Sequence, residues 1–205
     1  GPVTSLAESP ILPGILFAGT DGGNVWLTRN GGGTWENLTS RFTGVPRNTW
    51  VTRVEPSAFD SSTVYVTFDG HRTDDFHPYV FVSTDFGRTF RSISATLPDS
   101  EYVHVITEDP RRRGLLFLGT ELTAYVSTNG GESWQRFNAG LPPAPVHDLV
   151  VHPRDRVLVA ATHGRSIWTI GIGALEQATD SLLRAPVALF APDPGLLFAT
   201  RTAGG

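Results

Sequence analysis

Three eight-residue segments of this chain align without gaps: TRNGGGTW (28–35), STDFGRTF (83–90) and STNGGESW (127–134). Each reads Ser/Thr-x-Asp/Asn-x-Gly-x-Ser/Thr-aromatic, and a repeat of this length limits the fold more than any other feature of the sequence. Ahead of each lies a β-forming run: ILFAGTD, TVYVTFD and LLFLGTE. A further run precedes those and closes on proline: SLAESP, TRVEPS and VITEDP. A fourth copy follows as DLVVHP and VLVAATH, so the marker prolines are Pro10, Pro56, Pro110 and Pro153. Each unit therefore predicts strand, Pro/Gly turn, strand, turn, strand, Asp/Asn-Gly turn, short strand. Four short antiparallel strands in each 40–50-residue unit are expected to form the blades of a β-propeller.

The Asp/Asn-Gly step has a local cause. A short amide or carboxylate side chain accepts hydrogen bonds from backbone amides just downstream, and glycine takes the positive φ that the turn needs. The following aromatic, Trp35, Phe90 or Trp134, is expected to bury its ring and anchor the turn. In a blade whose strands run a to d from the channel outward, the a–b and c–d turns share one face. The b–c and d–a connections share the other, where ligands are expected.

The totals fit this reading. The 205 residues include 22 Gly and 15 Pro, with 40% apolar and 18% charged residues. A net charge of −4 without a basic stripe predicts neither nucleic-acid nor membrane binding. Cysteine is absent, which excludes disulfides, Cys-ligated zinc and thiol nucleophiles. No cofactor motif is present. The chain opens GPVTS, lacks methionine and has no signal-peptide pattern, as expected of a processed or trimmed piece.

The repeated segments resemble the Asp-box of BNR-repeat propellers, found in sialidases, xyloglucan-degrading enzymes and sortilin-type receptors. The stretch from WVTRVEP to STDFGRTF, with VHDLVVHPRDRVLVAATHGRSIW, resembles bacterial proteins with a sortilin-type N-terminal domain, often labelled glycosyl hydrolase. The resemblance covers roughly residues 3 to 172. It implies a propeller that binds peptide or glycan at the b–c/d–a face, in an extracellular or periplasmic setting. The alternative it implies is the C-terminal part of a glycoside hydrolase working through paired carboxylates. Two of the three boxes carry Asn30 and Asn129 in place of Asp, which keeps the turn chemistry without the charge.

Blades are expected over 1–46, 47–98, 99–142 and 143–173, with a tail or linker over 174–205. The fourth unit lacks a box and an evident outer strand. The expectation is the C-terminal part of a larger propeller, completed by missing N-terminal blades or another chain. A self-contained four-bladed ring is the alternative, with APVALFAP (185–192) completing the last sheet.

FDGHRTDDFHPY, residues 68–79, is the outstanding irregularity. From the strand aromatic to the box takes 18 residues here (Tyr65 to Ser83), against 11 (Phe17 to Thr28) and 10 (Phe117 to Ser127) in its sister units. A single polar insert on the ligand-facing side is a functional candidate. Its Asp69, His71, Arg72, Asp74 and Asp75 are candidate ligand-binding residues, together with Glu121, His163, Arg165 and Trp50. Asp21 with Asn24, Tyr102 with His104, and His147 with Asp148 are expected nearby.

Three readings of the insert stand side by side. In the first, Asp69-Gly70 makes a turn and Arg72 pairs with Asp74 or Asp75 to stiffen it. In the second, the group binds a ligand, with Trp50 or Tyr102 available for stacking. The third is glycoside hydrolysis, which needs two carboxyl groups roughly 5–5.5 Å or 6.5–9.5 Å apart. Asp69, Asp74, Asp75 and Glu121 are the available acids, and no arginine triad of the sialidase kind can be assigned. His147 and His152, five apart on a strand, point to opposite faces, so no metal site is expected.

Overall fold

The computed structural model describes residues 1–137, 140–179, 181–182 and 185–192. The first blade holds β1 (Val3–Glu8), β2 (Leu16–Thr20), β3 (Val25–Thr28) and β4 (Glu36–Asn37). The second holds β5 (Trp50–Pro56), β6 (Val64–Gly70), β7 (Asp75–Ser83) and β8 (Arg91–Ser92). The third holds β9 (Val103–Glu108), β10 (Leu116–Thr120), β11 (Ala124–Ser127) and β12 (Gln135–Arg136). In the fourth, β13 (Val146–His152), β14 (Val157–Thr162) and β15 (Ile167–Gly171) lead into α1 (Gly173–Gln177). Every sheet is an antiparallel meander in chain order. The first strands of successive blades, β1, β5, β9 and β13, lie side by side. The chain is an all-β propeller piece with four blade units.

The fourth sheet has three strands among the described residues, not four. Residues 185–192, the alternative source of a closing strand, form none. They turn back instead on α1, where Ala191 exchanges hydrogen bonds of 2.9 and 3.0 Å with the Gln177 side chain.

The repeated turns are built alike. In the first, the Thr28 hydroxyl donates to Asn30 Oδ1 at 2.9 Å and accepts the Gly32 amide at 3.0 Å, while Asn30 Oδ1 accepts the Thr34 amide at 2.9 Å. Ser83 with Asp85, and Ser127 with Asn129, repeat the set. Each turn spends two consecutive residues at positive φ; in the second, one of them is Phe86 at 59°. The Asp85 carboxyl meets desolvation, which opposes ionisation. The Thr89 hydroxyl and amide and the Ser83 hydroxyl outweigh it and hold the carboxyl down at about 2.

Three apolar clusters lie between successive blades. Two of the three repeated-turn aromatics reach back to the preceding blade. Trp134 donates its indole N–H to the Ile93 carbonyl at 2.6 Å, and Phe90 packs on Phe42 with ring centroids 4.1 Å apart. Trp35 departs from the expected burial because no described blade precedes the first, and it stays exposed.

Candidate functional site

A cavity of about 400 Å³ opens on the face opposite the repeated turns. Its walls come from the starts of three inner strands and from the b–c hairpins of the second, third and fourth blades. Trp50, Thr52, Asp69, His71 and Arg72 belong to the second blade, and Tyr102, His104 and Glu121 to the third. Pro145, His147 and His163 close the side formed by the fourth.

A recurring irregularity aims these side chains. Every inner strand carries Val-Thr or Val-His at or next to its start: Val3-Thr4, Val51-Thr52, Val103-His104 and Val146-His147. In each, the second residue is an extra one that interrupts the pairing register with the neighbouring strand. Such a bulge turns a side chain out of the regular alternation. In the first two blades it carries a hydroxyl that ties blade to blade. Thr4 donates to the Val51 carbonyl at 2.6 Å, and Thr52 to the Val103 carbonyl at 3.2 Å. In the third and fourth blades it carries an imidazole.

The result is a row of flat rings across three blades. His71 stacks on Tyr102 at 4.8 Å between centroids, and Tyr102 meets His104 edge-on at 5.1 Å. His104 lies 4.3 Å from His147, and His147 5.3 Å from His163. Burial, then the neighbouring His104 and His163, push the His147 pKa below the ordinary imidazole value, against the opposing pull of Glu121 and Asp69.

Both carboxylates of the cleft are already engaged. Buried Asp69 accepts the His71 Nδ1–H, with oxygens 2.6 and 2.7 Å from that nitrogen, and the His71 amide at 2.8 Å. Arg72 Nη1 lies 3.6 Å away, and its guanidinium carbon sits 4.1 Å above the centre of the Trp50 ring. Glu121 Oε2 is 3.1 Å from His104 Nε2. Burial, then the influence of the neighbouring Glu121 carboxylate and the charge of Asp69, raise the Tyr102 hydroxyl well above its usual pKa.

Six of the nine candidates therefore line one cleft: Trp50, Asp69, His71, Arg72, Glu121 and His163. Asp74, Asp75 and Arg165 do not. The insert proves to be mostly a longer hairpin, since Gly70 pairs with Asp75 and only 71–74 form the turn. Strand alternation then puts Asp75 on the face opposite Asp69. There it accepts the Tyr79 hydroxyl at 2.7 Å and lies 3.1 Å from His77 Nδ1. Desolvation opposes its ionisation, but these hydrogen bonds lower its pKa, and burial with the Asp75 contact pushes the Tyr79 hydroxyl up to about 12. Asp74 is an exposed turn residue at φ 58°. Arg165 is exposed, and its carbonyl accepts the Trp168 indole at 2.6 Å. The expected Arg72 pairing with Asp74 or Asp75 is thus replaced by Asp69 and Trp50, which face each other across β5 and β6.

Arg53 of the second blade also reaches Asp148 of the fourth in an ion pair. Among the described residues no trio of histidine and carboxylate side chains is placed to share a metal ion, and no helix is long and apolar enough to cross a membrane.

Fold and cleft together define a β-propeller module with a polar, aromatic-lined mouth. Solved propellers show the same architecture. A GH74 enzyme from Niastella koreensis superposes with a TM-score of 0.64 at 18% identity, over 83% of this chain and 28% of that one. The GH74 xyloglucanase from Xanthomonas campestris gives 0.62 at 16%, over 82% and 27%. YCF48 bound to D1 peptide gives 0.59 at 18%, over 83% and 51%. The chain thus spans about a quarter of the GH74 chains and half of the YCF48 chain, and at these identities the likeness is one of fold. No family model and no curated protein matches the sequence.

Proposed function

We propose that this chain is a binding propeller of the sortilin-like BNR type, working outside the cytoplasm, that holds a peptide or glycan segment in the cleft at its b–c/d–a face. The supporting observation is the state of the two cleft carboxylates. Asp69 is fixed by His71 and Arg72, and Glu121 by His104. Such groups are oriented acceptors, suited to the hydroxyls of a sugar or the amides of a peptide. The flat faces of the ring row, and the Trp50–Arg72 pair, provide stacking surfaces beside them. Among the solved relatives in fold, YCF48 is itself described with a bound peptide.

A second reading rests on the same pair of acids. In it the chain is the C-terminal part of a glycoside hydrolase, with Asp69 and Glu121 as its paired carboxylates; the support is the fold shared with solved GH74 enzymes, one of them a xyloglucanase. The two readings part on one experiment. Glycan and peptide arrays are probed with the chain and with Arg72→Ala and Asp74→Ala variants, and bound glycans are analysed for cleavage. Binding lost in Arg72→Ala and kept in Asp74→Ala supports the binding module. Turnover that disappears in Glu121→Gln supports the hydrolase. Array signals indifferent to Arg72 defeat the binding module, and bound glycans left uncleaved, or cleaved equally by Glu121→Gln, defeat the hydrolase.

A further inference from the structure

The cleft does not stop at Trp50. We infer that it continues outward as a groove between the first and second blades, and that its ligand is an extended glycan whose outer sugar carries a carboxylate against Arg47; this rests on the cleft being the ligand site.

The joint between these two blades is the source of the groove. The connection from β4 to β5 takes twelve residues, 38–49, against ten, 93–102, between β8 and β9. Arg41 anchors its first half by donating to the Gly87 carbonyl at 2.7 Å. Its second half bends at Asn48, whose φ is 63°, and the Thr49 hydroxyl donates to the Pro46 carbonyl at 2.8 Å. The β2–β3 turn fits closely against it, since a Cβ on Gly23 would come within 2.7 Å of the Thr49 carbonyl oxygen.

An outer cavity of about 720 Å³ lies among these segments, larger than the cleft itself. Both of its walls are described blades, and buried Phe42 and Phe68 line it. Asn24, Ser40, Arg47 and Asn48 line it too, with side chains that make no hydrogen bond or ion pair among the described residues. A smaller cavity of about 50 Å³ lies between the outer cavity and the cleft. Asn48 borders it and the outer cavity; Trp50, Asp69 and Arg72 border it and the cleft. The three form one path, from Arg47 past the Trp50–Arg72 stack to the row of rings.

The path favours a glycan over a peptide. Amide, hydroxyl and guanidinium groups around one space are partners for sugar hydroxyls. An extended peptide instead gains affinity by adding a strand to an open sheet edge, and the edge strand here, β4, has only two residues. Arg47 is the single charged residue lining the outer cavity, and its planar fork matches a carboxylate. The acids of the path, Asp21, Asp69 and Glu121, border the middle cavity and the cleft, so the acidic sugar belongs at the outer end.

Isothermal titration calorimetry of the 205-residue chain tests this with α- and β-linked uronate oligosaccharides, each as a disaccharide and an octasaccharide. The octasaccharide of one linkage should bind about tenfold more tightly than its disaccharide or better. Arg47→Gln and Asn48→Gly should each abolish that advantage and leave the disaccharide unchanged; glycine accepts the positive φ of Asn48 and removes only the amide. Reducing the carboxyl groups of the octasaccharide should abolish it as well, whereas Glu121→Gln should weaken both lengths. Equal binding of the two lengths, or an advantage that survives both variants, overturns the outer subsite; loss in Glu121→Gln would then leave the cleft standing as the ligand site. An octasaccharide indifferent to carboxyl reduction overturns the acidic sugar. An array-selected peptide held through Arg72, with no uronate octasaccharide bound, overturns the glycan and keeps the cleft.

Discussion

His104 of β9 and His147 of β13 stand at the same bulge position in successive blades, with ring centroids 4.3 Å apart. In the first two blades that position is a threonine bonded to the next inner strand. The exchange turns a structural staple into a pair of titratable rings at the mouth of a cleft.

That pairing makes the fold sensitive to acid. The lowered pKa of His147 means that the unfolded chain binds a proton more readily than the folded one. Its contribution is fully present above the unfolded imidazole value of about 6.5 and is lost as pH falls through the lower folded value. Urea denaturation between neutral and mildly acidic pH should show this decline, and His147→Gln should flatten it. Equal slopes in the two proteins would contradict the assignment.

Where threonine remains, the staple should be measurable. Thr52 lies 2.7 Å from the Thr67 hydroxyl and 3.2 Å from the Val103 carbonyl. Thr52→Val should cost about 1–3 kcal/mol because it strands the fully buried Thr67 hydroxyl. Adding Thr67→Val should cost little more. A double-mutant cycle by denaturant titration reads the coupling, and strict additivity would refute it.

The close approach of neighbouring blades at Gly19 and Gly119 predicts an asymmetric rescue. Gly19→Ala collides with the Val51 Cγ1 at 2.3 Å and Cβ at 2.8 Å, so Val51→Ala, which removes only the first of these, should recover part of a loss of about 1–3 kcal/mol. Gly119→Ala meets the Val146 carbonyl as well as its side chain, and Val146→Ala should leave most of the damage in place. Thermal melts of the four variants decide this.

The repeated turn supplies a control. Asp85→Asn should be nearly neutral at pH 7, because Asn30 and Asn129 make the same hydrogen bonds in the sister turns. The ionised form of Asp85 adds stability that is present above its unfolded value of about 3.9 and lost as pH falls toward about 2. The variant should lack that loss below pH 4, as followed by fluorescence on acid titration.

The strands and turns were legible because their causes are local. Asn30, Asp85 and Asn129 each need a hydroxyl two residues before and an amide four residues after, and the spacing shows in the chain. The fate of Asp74 and Asp75 was not legible, since it depends on Gly70 pairing with Asp75 and extending the hairpin. Arg72 met Trp50 and Asp69 for the same reason: the β5–β6 register brings them together. The bulges left a trace in the recurring Val-Thr and Val-His pairs. Only the three-dimensional register gives those pairs their meaning.

The central claim is that ligand enters at the row of rings. The most direct measurement is the set of imidazole C–H signals of the six histidines by NMR, titrated with the strongest array-selected glycan or peptide. The account predicts shifts at His71, His104, His147 and His163, with His77 and His152 still, and at least a tenfold weaker affinity (about 1.4 kcal/mol) in Glu121→Gln. Shifts confined to His77 or His152, or an affinity unchanged by Glu121→Gln, would contradict it.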